Sequence, residues 1–254
     1  MKEYFKRITT QSKKWELVLW WIIRIVMIAG AIESFVHYDK YEDKIRTMMI
    51  GNFALTFGWE VMQMFPKTHM FRYIPSVCQD FTSVHIICGA FCGAYLNFYY
   101  RVWWWDTAMH FLTGGLLVLA GYVFMRAYEI RDNKKIPAAV IVLASFCISF
   151  MFSTFWECWE FSFDQLTGGD TQHWSYELAL KDGPERLSHL FFEPAPDRNA
   201  HEWMARFALI DTMTDIVANT LGACIGGIAL KLGLRKREKE EKAITVDIKE
   251  KVNK

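Results

Sequence analysis

Six apolar runs of about 20 residues, each the length that crosses a hydrocarbon core, leave this 254-residue chain few folds to choose from. They lie at roughly residues 15–36, 46–65, 81–100, 104–126, 136–161 and 207–230. Runs of that length are too long for barrel strands, so each satisfies its backbone internally as an α-helix. Hydrophobic residues make up 52% of the chain, and the 22% that are charged crowd the first 14 residues, short links, a long segment and the tail. That distribution excludes a soluble globular domain, a disordered chain and a disulfide-stapled secreted module. A net charge of +1 argues against nucleic-acid binding. No Walker, Rossmann, HExxH or nucleophilic Ser/Cys signature is present. The sequence predicts an all-α polytopic protein embedded in the lipid bilayer. A six-helix transmembrane domain covers residues 1–235, and a charged cytoplasmic tail covers 236–254.

Lysine and arginine set the expected orientation. With the N-terminus inside, inner segments carry 20 of the 29 Lys and Arg and outer segments carry 8, Arg24 falling within the first span. Both termini are then cytoplasmic, and residues 162–205 form one large extracytoplasmic loop. That loop holds turn-type punctuation at Gly168-Gly169-Asp170, Pro184 and Glu193-Pro194-Ala195-Pro196-Asp197. It also holds Trp174, Tyr176, Phe191, Phe192 and Trp203, which suit a cap lying at the membrane interface. Ala29-Gly30-Ala31 has the look of a cleavage site, but Arg24 and the length of the run argue for a retained anchor. The Cys residues at 78, 88, 92, 147, 158 and 224 form no CxxC pair and read as small packing residues. Gly89/Gly93 and Gly222/Gly226 are small-xxx-small pairs, read as close helix contacts that also permit a homo-oligomer.

Ionisable residues inside spans carry more information, because each costs about 2.5–3.5 kcal/mol near a helix centre and needs a partner or a purpose. Near the outer ends fall Asp106 and His110 in span four, Glu157 and Glu160 in span five, and Asp211, Asp215 and Asn219 in span six. Glu33 is a candidate neighbour. Near the inner ends fall Glu60, Asp80 and His85. The orientation used only Lys and Arg, yet acidic, His and amide residues from three helices land at one membrane face. Their spacing gives each helix a single polar stripe: Asp106 and His110 four apart, Glu157 and Glu160 three apart with Asp164 one turn on, and Asp211, Asp215 and Asn219 every four. Inward carboxylates from facing helices are how bundle cores build metal sites. Packed together, these carboxylates cannot all stay ionised. Either a divalent metal ion neutralises them, or some carry protons. Around His85, Thr82-Ser83-Val84-His85-Ile86-Ile87-Cys88-Gly89 parallels Thr107-Ala108-Met109-His110-Phe111-Leu112-Thr113-Gly114, as an internal duplication would.

The motifs Asp106-Thr-Ala-Met-His110, Glu157-Cys-Trp-Glu160 and Asp215-Ile-Val-Ala-Asn219-Thr-Leu-Gly222 resemble those of VanZ-like bacterial membrane proteins and the related six-span YjdF-type family. The resemblance covers roughly residues 104–230. Against the shorter VanZ pattern, position 160 is Glu rather than Gln, residues 162–205 look like an insertion, and Asp211 is extra. It implies a bacterial plasma-membrane protein in a cell-envelope setting, and it supports the choice of residues rather than a reaction.

The first functional expectation is an outer-leaflet intramembrane site that acts on or binds an amphiphile, a lipid-linked or phosphate-bearing envelope intermediate. Asp106, His110, Glu157, Glu160, Asp211 and Asp215 would hold a divalent cation or share protons, and Asn219 would orient the substrate. Outer positive charges near the cluster are few (Arg101, Arg186, Arg198, Arg206), so a phosphate would depend on a metal. One alternative is a proton- or cation-coupled transporter or channel, with Glu60, Asp80 and His85 supplying the inner half of the route. Another is a non-catalytic assembly or sensor protein whose polar core fixes helix pairing.

Overall fold

A computed structural model describes residues 2–39, 43–172 and 200–252. Most of the expected cap lies at 173–199, outside the described residues, and the same holds for the side chain of Trp203. Among the described residues all regular structure is helical: α1 (Lys2–Gln11), α2 (Lys14–Val36), α3 (Asp43–Leu55), α4 (Gly58–Met62), α5 (Val77–Ile86), α6 (Phe98–Arg101), α7 (Trp105–Asp132), α8 (Ala138–Thr167) and α9 (Ala200–Val252). A short 3-10 turn (Met70–Tyr73) precedes α5, and α5 runs on as a π-helix over Ile87–Tyr95.

Among the described residues, five helical stretches are long and apolar enough to cross a membrane: Lys14–Val36, Val77–Tyr95, Trp105–Asp132, Ala138–Thr167 and Ala208–Arg237. Their polarity is inverted relative to a soluble protein. On α9 the buried side carries Asp211, Asp215 and Asn219, whereas Leu209, Met213, Val217, Leu221, Ile225, Ile228 and Leu232 are exposed. On α8 the buried stripe is Ile141, Ser145, Ser149, Ser153, Glu157, Glu160 and Asp164, and the outward face is Val140, Leu143, Phe150, Phe152, Phe155 and Trp159. Apolar rings and branched chains facing outward, with carboxylates inside, are stable only where the surroundings are hydrocarbon. The chain is a multi-pass membrane protein.

The run at 46–65, expected as one continuous span, is broken. Thr56 turns its hydroxyl back onto the Phe53 carbonyl at 2.6 Å, and Phe57 N bonds Ala54 O in a tighter turn, ending α3 before α4 begins at Gly58. Neighbouring helices fill the break. The Thr56 carbonyl accepts from Arg24 Nη2 at 2.6 Å and from Gln79 Nε2, while Trp59 N donates to Gln79 Oε1 at 2.9 Å. Irregular backbone at membrane depth is tolerated when protein groups satisfy it in this way. Arg24, 1% exposed, forms an ion pair with Glu60 and lies 3.7 Å over the Phe57 ring. Just below, Trp20 Nε1 donates to Asp80 Oδ1 at 2.7 Å. Helix α1 docks under this layer through Ile8, which packs with Trp20 and Trp59.

The second half is a tight three-helix unit. Helices α7 and α8 run antiparallel, with Gly121 against Ser145 and Ser149 Oγ donating to Gly114 O at 2.9 Å. Helices α7 and α9 run parallel and approach so closely that a Cβ on Gly114 would meet the Asn219 carbonyl, and one on Gly222 the Phe111 carbonyl. The Gly222/Gly226 pair therefore lies in a helix contact within the chain. These directions bring the start of α7, the end of α8 and the membrane entry of α9 to one end of the unit.

Candidate functional site

At that end the polar stripes converge. Asp106, Glu157, Glu160, Asp211 and Asp215 are all buried, and the side chain of His110 is 12% exposed. His110 stands between them. Its Nε2 is 3.6 Å from both Asp106 Oδ1 and Asp215 Oδ2, and its Nδ1 is 3.8 Å from Glu157 Oε1. One ligand atom from each of Asp106, His110 and Asp215 fits within a mutual distance of 4.8 Å. Separations of 3.6 Å are too long for hydrogen bonds. They lie close to the spacing of about 3.3 Å between neighbouring ligands around a tetrahedral ion with bonds of roughly 2.0–2.1 Å.

Glu157 is the least satisfied member. Both of its carboxylate oxygens are buried without a hydrogen bond. The Thr212 hydroxyl lies on the same side; it accepts from Gln172 Nε2 at 2.8 Å and keeps its own proton to donate toward Glu157. Asp211 is within electrostatic reach of Glu157, Glu160 and Asp215. Glu160 has a neutral donor, Trp156 Nε1 at 2.7 Å. The Asn219 side chain is buried where α9 crosses Gly114, with its Oδ1 unbonded.

Other candidates separate from this group. Asp164, expected to continue the stripe, organises the chain that leaves α8. Its Oδ1 accepts from Thr171 N at 2.8 Å and Thr171 Oγ1 at 2.7 Å, and its Oδ2 accepts from Gln172 N at 2.9 Å. Gly168 permits this turn by adopting φ +68°. Glu33 takes the Tyr95 hydroxyl. Glu60 and Asp80 belong to the layer around Arg24 and Trp20. His85, grouped with them by sequence, instead approaches the second half: its Nε2 is 3.5 Å from Thr113 Oγ1, one turn beyond His110. The two similar His-containing segments thus come together in space.

Two features escaped the sequence. Tyr99 lies within electrostatic reach of Asp106, Glu160 and Asp215, and no spacing signal marks it because it sits on a single-turn helix. The aromatic girdle is the other. Trp103, Trp104, Trp156 and Trp159 are exposed at the level of the cluster, a composition signal spread over two distant segments.

Converging carboxylates and an imidazole of this kind can bind a divalent ion, which could polarise a phosphoryl oxygen or activate water. No curated protein and no solved structure matches the chain. A family described as "Predicted membrane protein (DUF2238)" matches residues 15–236, a stretch that contains both the Arg24 layer and the whole acidic cluster. The chain belongs to that family of membrane proteins.

Proposed function

We propose that this protein, in a bacterial plasma membrane with both termini cytoplasmic, holds a divalent cation in its acidic cluster near the outer surface. Through that ion it binds, or acts on, an amphiphilic cell-envelope molecule bearing phosphate. Asp106, His110 and Asp215 are the proposed ligands, with Glu157 completing the set and Glu160 and Asp211 beside it. The observation that carries this reading is the ligand triad within 4.8 Å beside the buried carboxylate of Glu157, itself 3.8 Å from His110. An ion would neutralise charges that otherwise repel in low dielectric.

The depth and orientation rest on separate supports. Exposed tryptophans flank the cluster, as they do at membrane interfaces. The distribution of Lys and Arg favours placing that end outside. Counting α3–α4 as a broken second span gives six crossings, which keeps both termini on one side. At an interface the ion would meet headgroups rather than acyl tails, which favours a phosphate-bearing amphiphile.

The test is lipid mass spectrometry on protein purified with its native lipids. A phosphate-bearing lipid retained by the wild type and lost from Asp106→Ala and Asp215→Ala is expected. The same lipids on all three proteins would end the amphiphile reading.

A proton- or cation-coupled transporter is the second reading. It is favoured by the buried serines Ser153, Ser149 and Ser145, which continue the α8 stripe inward from Glu157 for roughly 18 Å. A cation- or pH-driven flux in liposomes, abolished by Glu157→Gln, would put it first.

A further inference from the structure

The π-helix after α5 and the turn that follows it have a consequence at the acidic cluster. The π segment ends with Leu96 N bonded to Phe91 O at 2.9 Å, and Asn97 then takes a left-handed φ of 63°. Few residues other than glycine accept that conformation, and asparagine is one of them. The chain reverses there, and α6 folds back alongside the π-helix for one turn. Its two tyrosines diverge. Tyr100 donates to Asp170 Oδ2 at 3.1 Å, bracing the turn after α8. Tyr99 points the other way and lays its ring on Gly93.

The fit of that ring depends on glycine. A Cβ on Gly93 would come 2.7 Å from Tyr99 Cζ and 2.9 Å from Cδ2, inside contact distance. A Cβ on Gly89 would stand 3.4 Å from the Tyr99 hydroxyl and 3.9 Å from Met109 Cε, so the hydroxyl lies against α7 beside the residue preceding His110. Gly89 and Gly93, spaced for helix packing, thus form a slot for one aromatic ring. At that position the hydroxyl is within electrostatic reach of Asp106 on α7, Glu160 on α8 and Asp215 on α9, one carboxylate from each helix of the unit.

We infer that the Tyr99 hydroxyl is a positioning group of the acidic centre, donating its one proton to a carboxylate of the cluster and turning that group's remaining lone pairs toward a bound cation. This rests on the metal reading above. It adds to the centre a residue outside the three helices that supply the ligands. Donors behind ligating carboxylates fix ligand orientation, and losing one typically lowers metal affinity about 10–100-fold. Trp156 already plays this part for Glu160 from the lipid side. Tyr99 would do the same from the side of the N-terminal half, which makes that half part of the site.

The test is a Mn2+ and Zn2+ titration of the full-length, detergent-purified protein, comparing wild type with Tyr99→Phe and Gly93→Ala. Tyr99→Phe keeps the ring in its slot and removes only the hydroxyl. It is expected to bind the same number of ions with about tenfold or greater loss of affinity and an unchanged melting temperature. Gly93→Ala, which dislodges the ring, should lose affinity as well. Wild type and Tyr99→Phe binding with equal affinity would overturn the positioning role and leave the metal reading standing. A wild type that binds neither ion would overturn both.

Discussion

Both halves of this molecule bury charge inside a membrane, and they treat it in opposite ways. Around the break between α3 and α4, the buried charges and the freed backbone groups find partners. Arg24 meets Glu60 and the Thr56 carbonyl, Gln79 closes the remaining backbone groups, and Trp20 holds Asp80. At the end of the three-helix unit the carboxylates of three helices face one imidazole at 3.6–3.8 Å without hydrogen-bonding to it, and the nearest hydroxyl to Glu157 is that of Thr212. Buried polar groups are costly unless paired. The Arg24 layer is therefore explained by the fold alone, whereas the acidic cluster gathers carboxylates with no cation among the described residues beside them, which is why a bound cation is proposed there. Hydropathy alone cannot separate the two, since Glu60 and Glu157 are both acids late in an apolar run.

Mutations can break this contrast, and the largest effect is expected on the Arg24 side. Glu60→Ala leaves Arg24 buried without its counterion and should cost about 3–5 kcal/mol, seen as loss of folded protein from the membrane fraction. The double variant Arg24→Leu/Glu60→Met should recover most of it. A flux assay on Glu60→Ala alone would consequently report folding rather than transport.

Next comes Gly114→Ala, whose Cβ would press on the Asn219 carbonyl. A cost of about 1–3 kcal/mol is expected from overpacking, read as a lower melting temperature in detergent. Gly227→Ala, with open space around it, should change nothing.

Asp164→Ala should cost about 1–2 kcal/mol, because it strips the Thr171 and Gln172 amides of their acceptor. The readout is faster proteolysis at 168–172. Glu157→Gln is expected to leave thermal stability unchanged or slightly raised, since it removes an unpaired buried charge, while metal affinity falls at least about tenfold. If Glu157→Gln unfolds the protein as severely as Glu60→Ala does, the contrast between the halves is wrong.

Much of the architecture was legible because it depends on local pattern. The runs at 104–126, 136–161 and 207–230 reappear as α7, α8 and the apolar part of α9, lengthened at their ends. The i,i+4 spacing of Asp106 and His110 and the four-residue repeat of Asp211, Asp215 and Asn219 put these side chains on buried faces. What stayed hidden depends on partners distant in sequence. Hydropathy averages over Thr56-Phe57-Gly58, so the broken span reads as continuous. The groups that make the break tolerable come from Arg24, 32 residues before Thr56, and Gln79, 23 residues after it. Depth along one helix places His85 in the inner group, yet it meets Thr113 across an interface. Asp164 shares the stripe of Glu157 and Glu160, but the turn it caps recruits it away. Tyr99 reaches the site only because a π-helix and a left-handed asparagine reverse the chain.

The central claim is that the acidic cluster is a metal centre and the Arg24 layer is not. Elemental analysis of the detergent-purified protein tests it most directly, beside an Asp106→Ala/Glu157→Ala/Asp215→Ala variant and the Arg24→Leu/Glu60→Met variant. A metal centre at the cluster gives about one divalent ion per chain in the wild type and in the Arg24/Glu60 variant, and none in the triple-alanine protein. No metal in any of the three, or equal metal in all three, would contradict it.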